Sequence, residues 1–177
     1  MKEMINFEAL NTISYGLYIV SSGDKKSGNG FISNTVFQVT SEPPKFASCC
    51  SKDNHTAEII RSTGNFSVSV LNLETAASLF GTFGFRSGKD INKMEGMKVK
   101  IGESGVPIVL NDAIAFLECR VVEVFDVGTH LMFIGELIQA ELLDEGKEPL
   151  TYRHYRQVKK GVAPKNAPTY IDKSKLK

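Results

Sequence analysis

Apolar and polar residues alternate along most of the chain, a pattern typical of β-strands. The β-branched and aromatic run from Tyr15 to Ser22 is followed by the turn-rich segment Ser22 to Gly30 and by a second strand-like run, Phe31 to Thr40. Together these segments predict a hairpin. Pro43 and Pro44 have no backbone N–H to donate, so we expect strand pairing to end there.

The pattern between residues 45 and 71 predicts two strands separated by one short helix. Lys45 to Ser51 and Asn65 to Leu71 are strand-like, the second with one buried face. Between them, Lys52 to Gly64 has apolar residues at helical spacing, with Asp53 or Asn54 to cap its start and a glycine to end it. We therefore expect a strand, a helix and a strand in this order.

The rest of the chain predicts a second helix, a polar loop, a long hairpin and a C-terminal arm. Leu73 to Phe83 contains helix formers in a helical stripe, and Phe83 to Lys93 has the glycines and charged residues of an ordered surface loop. Ala113 to Gly128 and His130 to Leu143 have the pattern of two long strands joined at a turn. Residues 160–177 are rich in Pro and Lys, and we expect an extended arm that can lie across a neighbouring subunit.

About six strands with few helices in a chain of 177 residues predict a single domain over residues 1–177. The expected fold is mainly β, a closed antiparallel barrel with a few peripheral helices. This alternation fits several barrel families, the oligonucleotide-binding barrels among them. However, 21 Lys and Arg stand against 20 Asp and Glu, with no basic stripe, which argues against a nucleic-acid partner.

Neither a membrane nor a metal is expected from the sequence. No apolar run approaches the ~20 residues of a membrane span, and the first residues lack the apolar core of a signal peptide, so we expect a cytoplasmic protein. Cys49, Cys50 and Cys119 are an odd number without C-x-x-C spacing, which argues against a disulfide framework and a zinc site. We interpret all three as packing residues.

Polar side chains interrupt the strand pattern between Asn29 and Pro44. Ser, Asn and Thr stand there at positions that an ordinary barrel strand gives to apolar residues. A flat heteroaromatic ring with a pyrimidine-like rim needs such donors and acceptors when it is buried. A solvated strand face explains the same composition, so both interpretations stay open.

The segment Ser51 to Glu58 follows a strand and opens the short helix. A helix N-terminus offers unpaired N–H groups and a partial positive charge to an anion. The hydroxyls of Ser51 and Thr56, the Lys52 ammonium and the Asn54 amide gather there and could seat a phosphate. Plain helix capping explains the asparagine equally well, so the spacing alone decides nothing.

Two further places carry candidate side chains. The loop has Arg86, Ser87, Lys89 and Lys93, which could add positive charge to the same anion, although loop cations are usually solvated. His130 follows the turn of the long hairpin, where a histidine can face a pocket or simply belong to the turn.

Five stretches carry a family resemblance. In order, GFISNTVFQVTSEPP, SKDNHT, FGFRSGKDINK, VGTHLMFIG and APTY resemble the flavin reductase-like FMN-binding split-barrel family, in particular its flavoredoxin and flavin reductase-domain branch. The resemblance covers nearly the whole chain. It implies a Greek-key split barrel that forms a homodimer, with FMN near the subunit interface and NAD(P)H as cosubstrate.

The resemblance also assigns roles to particular residues. Thr129 stands where many members have Asp, so the neighbouring histidine lacks an acidic partner, and Met94 replaces a frequent aromatic. The implied assignments are Asn29, Ser33, Asn34 and Thr35 at the isoalloxazine rim, Ser51, Lys52, Asn54 and Thr56 at the phosphate and ribityl chain, Ser87 and Lys93 beside them, His130 as catalytic residue and Tyr170 near the ring.

The function that follows from the resemblance is an FMN-dependent oxidoreductase. It would move electrons from NAD(P)H or a reduced redox protein to free flavin, a ferric chelate or a small redox protein, the flavin carrying the chemistry. One alternative is a non-enzymatic FMN electron carrier between protein partners such as a rubredoxin-like protein. Another is a ligand-binding barrel without flavin.

Overall fold

Seven antiparallel strands form the main sheet of the computed structural model, which describes residues 5–176. Their order across the sheet is β2-β1-β5-β8-β9-β4-β3, and the short strands β6 and β7 pair separately. The strands are β1 Tyr18–Gly23, β2 Gly28–Ser33, β3 Val36–Ser41, β4 Pro44–Ser51, β5 Asn65–Leu71, β6 Val99–Ile101, β7 Pro107–Val109, β8 Ala113–Asp126 and β9 His130–Leu142.

The predicted strand Phe31 to Thr40 is broken in two, and the break shapes the sheet. Strand β2 ends at Ser33 and β3 begins at Val36, yet these strands lie at opposite edges of the strand order. Because only Asn34 and Thr35 join β2 and β3, the sheet has to curl until its two edge strands come close together at this link. The backbone N–H of Cys49 in β4 donates to the Thr35 carbonyl at 3.2 Å.

The closed barrel predicted from the sequence is not observed. Within residues 5–176 no ladder pairs β2 with β3, so the sheet is curled but open, and nine strands replace the expected six. The fold is mainly β and antiparallel with few helices, as predicted. Pro43 and Pro44 do not simply end a strand; they lie at the turn of a hairpin in which β3 pairs with β4.

Helix boundaries follow local capping chemistry. Helix α1 spans His55–Thr63, and its N-cap is Asn54, whose Oδ1 accepts from the Thr56 N–H at 3.0 Å. Gly64 ends it with φ of 67°, the left-handed conformation that glycine adopts most easily. Helix α2 spans Ala77–Phe85, later than the predicted Leu73 to Phe83, because Asn72 to Ala76 form a turn.

Other elements were missed from the sequence. Helix α3, Tyr152–Gln157, and a 3-10 helix at Phe7–Thr12 flank the C-terminal arm, and a second 3-10 helix occupies Lys173–Lys175. The hairpins β1–β2 and β8–β9 are confirmed. In the described residues 5–176 no helix is long and apolar enough to span a membrane.

Strand β5 is buried on both faces, which corrects the prediction of one buried face. Phe66 and Val68 are fully buried in the main core. The opposite face carries Ser67 and Ser69, whose hydroxyls donate to the carbonyls of Pro107 and Val109 at 2.7 and 2.6 Å. Strand β7 therefore covers the side that the polar residues predicted to be open.

Candidate functional site

The corner where β4 passes into α1 gathers the residues predicted to hold a phosphate. The Ser51 hydroxyl is buried and accepts from the Asp53 N–H at 3.3 Å, and Asn54 caps the helix. The Thr56 hydroxyl is fully buried in the first turn and has no hydrogen-bond partner among the described residues. An unsatisfied buried hydroxyl costs about 1–3 kcal/mol. A ligand oxygen at the start of α1 would supply the missing partner.

Lys52 lies on the solvent side of the same corner. Its Nζ contacts Asp126 Oδ2 at 2.6 Å, and both side chains are exposed. The hydrogen bond from Lys52 lowers the pKa of Asp126 below its usual value. An exposed pair of this kind contributes only ~0–1 kcal/mol. Little free energy is therefore lost if Lys52 leaves Asp126 to bind a phosphate.

The link between β2 and β3 lies at this corner as well. Thr35 N–H donates to Ser33 Oγ at 3.3 Å, and the Thr35 hydroxyl donates to the Cys49 carbonyl at 3.5 Å, two residues before Ser51 on β4. The buried Asn34 reaches in another direction, where its Nδ2 donates to Thr169 Oγ1 at 2.6 Å. The predicted ring residues therefore neighbour the predicted phosphate residues.

Asn29 and the loop that follows α2 meet further along β2. Neither amide atom of Asn29 has a hydrogen-bond partner among the described residues, although the side chain is only 3% exposed. Gly88 packs against this amide so closely that a Cβ there would lie 2.2 Å from Asn29 Nδ2. The neighbouring Ser87 is exposed, and its Oγ accepts from the Lys89 N–H at 3.1 Å. The structure thus brings Asn29 into contact with the loop at Gly88.

Lys93 is buried, unlike the other loop cations. Its Nζ donates to the carbonyls of Gly30 at 2.9 Å and Phe83 at 3.4 Å. Burial lowers the pKa of Lys93 to about 8, and the nearby Cys50 opposes this shift. Burial in turn raises the pKa of the Cys50 thiol well above its usual value. Lys93 therefore lies between β2 and the strand that leads into α1.

His130 lies opposite Ser51 in the β4–β9 register, beside the corner predicted to hold a phosphate. Its Nε2 is 3.1 Å from the Asn166 carbonyl, and its Nδ1 is 2.8 Å from the Thr129 hydroxyl. A carbonyl oxygen only accepts, so the neutral imidazole carries its proton on Nε2. Thr129, which stands in the place of an acidic residue, therefore donates to Nδ1.

Tyr170 does not join the other predicted residues. It lines a cavity with Tyr15 and Tyr152, one residue beyond the Thr169 that contacts Asn34. The C-terminal arm thus packs on its own chain, through Thr169 and through Asn166.

Several residues that shape this site have no signal in the sequence that singles them out. Asp126 pairs with Lys52, Gly88 covers the amide of Asn29, and Thr169 accepts from Asn34. All three are far in sequence from the residues they contact, and only the APTY stretch pointed toward the arm. No group of metal-ligating side chains occurs in residues 5–176.

The arrangement can hold a polar, anionic ligand with a flat ring. The N-terminus of α1 and Lys52 offer positive charge, while Thr56 and Asn29 have buried polar groups without a hydrogen-bond partner in the described part of the chain. The link Asn34–Thr35 adds short polar side chains, and the Thr35 hydroxyl contacts β4 at Cys49. This donor and acceptor set fits a flavin mononucleotide.

Comparison with known proteins agrees with this chemistry. A family model described as the flavin reductase like domain matches residues 10–159. The chain belongs to this family. Among flavin reductase-like proteins, a ferric-chelate reductase (NAD(P)H) from Archaeoglobus fulgidus is 45% identical over 168 residues, covering 95% of this chain and 99% of that protein.

Two further relatives widen the picture of the flavin reductase-like family. A high molecular weight rubredoxin from Moorella thermoacetica is 44% identical over 163 residues, covering 92% of this chain and 71% of that protein. The crystal structure of flavoredoxin from Methanosarcina acetivorans superimposes with a TM-score of 0.69 at 27% identity, covering 82% of this chain and 76% of that one.

Proposed function

We propose that this flavin reductase-like protein is an FMN-dependent oxidoreductase that takes electrons from NAD(P)H. The observation that carries the proposal is the buried Thr56 hydroxyl at the start of α1, beside Ser51 and Lys52, which has no hydrogen-bond partner within residues 5–176. The relatives named ferric-chelate reductase (NAD(P)H) and flavoredoxin support it. FMN, when bound, supplies an acceptor for a hydride and a donor of single electrons.

The phosphate would be held at the corner between β4 and α1. Ser51, Asn54 and Thr56 contribute polar groups there, and Lys52 contributes an exposed ammonium. The dipole of α1 adds partial positive charge at the same end. These residues bind and neutralise the anion, and they orient the rest of the nucleotide toward the link between β2 and β3.

The ring would lie along Ser33, Asn34 and Thr35, with Asn29 and Ser87 beyond them. The Asn29 amide offers one donor group and one acceptor, both buried and free within residues 5–176. Lys93 contributes a buried positive charge behind β2, which favours a negative charge on a neighbouring ligand. Because these groups are in position before the ligand binds, binding requires less reorganisation of the protein.

His130 holds a proton at Nε2 beside this corner. The Asn166 carbonyl accepts from it, so a donor or acceptor molecule arriving here competes with the arm for that N–H. The Thr129 hydroxyl donates a hydrogen bond to Nδ1 of the same ring. We assign His130 to the approach of the redox partner and Tyr170, which belongs to the arm, to the wall of the cavity that it lines with Tyr15 and Tyr152.

A homodimer is part of the proposal because one face of the sheet carries exposed aromatic side chains. Phe37 in β3 and Phe125 in β8 are 53% and 47% exposed. The strand registers place both on the face that carries Met132 and Ile134 of β9. A second copy on this face would bury these side chains, a gain of about 25 cal/mol per Å² of apolar surface.

The direct experiment is anaerobic reduction of the FMN-loaded protein. Rapid loss of the visible flavin absorbance after mixing with NADPH or NADH is the expected result. A protein that binds no FMN would contradict the proposal, and so would a flavin that neither nucleotide reduces. The final acceptor is then identified by reoxidation with free flavin, a ferric chelate or an oxidised rubredoxin.

A second candidate is an electron carrier without nicotinamide chemistry. The relative named high molecular weight rubredoxin and the structure named flavoredoxin favour it. In this case the flavin would stay oxidised in NAD(P)H and would be reduced quickly by a reduced rubredoxin-like protein. Either function is compatible with a cytoplasmic protein, the location we propose.

A further inference from the structure

A cavity of about 380 cubic ångströms lies behind the C-terminal arm, outside the crevice assigned to FMN. The 3-10 helix at Phe7–Thr12, helix α3 and residues 168–171 enclose it. Its volume falls in the range of small-molecule sites. No residue predicted from the sequence accounts for it except Tyr170.

Three tyrosines give this cavity flat aromatic walls. The rings of Tyr15 and Tyr152 lie 6.4 Å apart at 78°, and Tyr170 completes the lining from the arm. Tyr170 is 37% exposed, so its ring is available to a ligand. Walls of this kind suit a planar base, which gains stacking and apolar contact together.

Two arginines give the same cavity positive charge. Arg153 and Arg156 both line it, on successive turns of α3, and among residues 5–176 no carboxylate lines it. The Arg153 Nε donates to Gln157 at 3.2 Å, and Arg156 donates to Asn11 and lies over the Tyr152 ring. Neither guanidinium forms an ion pair within residues 5–176. Guanidinium groups bind phosphate with two parallel hydrogen bonds, and an aromatic face beside them accommodates a base.

One hydrogen bond connects the lining of this cavity to a residue assigned to the flavin ring. Thr169 lines the cavity and also accepts from Asn34, which we placed at the ring. A neighbouring cavity shares Arg156 and Tyr170 with this one and is also lined by Asp172, whose carboxylate accepts from the N–H and hydroxyl of Ser174. Arg153 lines only the first cavity, so the anion-binding half is the side with Arg153.

We propose that this cavity binds the adenosine 2′-phosphate half of NADPH, the base against the tyrosines and the 2′-phosphate on Arg153 and Arg156. The inference rests on the proposed function, since it makes NADPH rather than NADH the preferred donor. It assigns Arg153 as the residue that discriminates between them, because the only hydrogen bond of its side chain within residues 5–176 is to Gln157. Arg156 also supports the N-terminal segment through Asn11.

The test is calorimetric titration of the FMN-loaded protein with 2′,5′-ADP and with 5′-AMP, which lacks the 2′-phosphate. We expect 2′,5′-ADP to bind about tenfold more tightly or better, as one charge-assisted hydrogen-bonded pair provides. Arg153→Ala should remove the difference, and the KM for NADPH should rise about tenfold while kcat and the KM for NADH stay unchanged. The control is Arg61→Ala, an exposed arginine in the last turn of α1.

Each outcome separates this inference from the proposed function. If NADPH reduces the flavin but Arg153→Ala leaves both the 2′,5′-ADP affinity and the KM for NADPH unchanged, the adenosine site is wrong and the reductase stands. If 2′,5′-ADP binds in an Arg153-dependent way but no nucleotide reduces the flavin, the reductase is wrong and the nucleotide site stands. Equal affinity of the unsubstituted protein for 2′,5′-ADP and 5′-AMP overturns the 2′-phosphate assignment.

Discussion

The ammonium of Lys93 donates to the carbonyl oxygen of Gly30 across 2.9 Å, inside the protein and without a carboxylate partner among the described residues. A surface loop cation was expected from the sequence. Burial instead holds the pKa of Lys93 at about 8, below its usual value of 10.5.

This depressed pKa gives Lys93 a measurable effect on stability. Between about pH 8 and pH 10.5 the unfolded chain binds more protons at Lys93 than the folded chain does, so this lysine makes the free energy of unfolding rise with pH. Relative to Lys93→Met, the unsubstituted protein should gain about 2 kcal/mol across this window. Denaturant unfolding of both proteins at several pH values measures the difference.

The comparison with Lys93→Met is needed because other groups act in the opposite direction. Burial raises the pKa of Tyr18 and of Tyr155, and each loses stabilising protonation as the pH rises. Both proteins contain these tyrosines, so their effect cancels in the difference. Two parallel stability curves would show that the Lys93 pKa is not depressed.

Two variants of Asn54 should separate its effect on the stability of α1 from its effect on phosphate binding. Asn54→Ala removes the hydrogen bond to Thr56 N–H and should lower the free energy of unfolding by about 1 kcal/mol. Asn54→Asp keeps a capping oxygen and should preserve stability, but its negative charge should weaken FMN binding about tenfold. Chemical denaturation and flavin fluorescence titration measure the two effects.

The neighbouring residue provides the control for this pair of variants. Asp53 is exposed, and no hydrogen bond or ion pair of its side chain is present within residues 5–176, so Asp53→Ala should leave stability nearly unchanged. If Asn54→Asp bound FMN as tightly as the unsubstituted protein, the phosphate would not lie at the start of α1.

Glu118 should be among the most sensitive positions for stability. Its buried carboxylate accepts from Glu103 N–H at 2.9 Å and from the N–H and hydroxyl of Ser104 at 2.7 and 2.5 Å. Glu118→Ala would leave these donors unpaired and should cost about 3 kcal/mol or more. The exposed Glu145, whose side chain forms no hydrogen bond or ion pair within residues 5–176, is the control, and Glu145→Ala should change stability by less than about 0.5 kcal/mol. Similar melting temperatures for the two variants would refute this account of the loop.

The oligomeric state tests the apolar sheet face. Phe125→Glu places a charge on that face, and we expect light scattering after size exclusion to give the mass of a monomer, against a dimer for the unsubstituted protein. Leu142→Glu changes an equally apolar exposed residue at the other end of the long hairpin and should leave the dimer intact. A monomeric unsubstituted protein, or a dimeric Phe125→Glu variant, would exclude this face as the interface.

Local rules predicted the elements whose signals lie within a few residues. Asn54 and Gly64 bracket α1 because capping depends on neighbours in the chain, and alternation predicted the long hairpin. The break at Asn34–Thr35 was missed because no local signal says that a strand leaves one sheet edge and continues at the other. Likewise Ser67 and Ser69 indicated an open face, since the carbonyls that satisfy them come from β7, forty residues away.

The candidate site shows the same division. Motif residues such as Ser51, Thr56 and Asn29 are buried polar side chains, as a binding site would need, but their role as ligand contacts stays a prediction. The burial of Lys93, the pairing of Lys52 with Asp126 and the contact of His130 with Asn166 all depend on distant segments. Residue type and spacing carry no information on such contacts.

The most direct measurement is a crystal structure of the FMN-loaded protein. We predict the phosphate at the start of α1, within hydrogen-bonding distance of Thr56 and Ser51, and the ring along Ser33 to Thr35. Flavin bound elsewhere, or this corner filled only by the side chains of the protein, would contradict it.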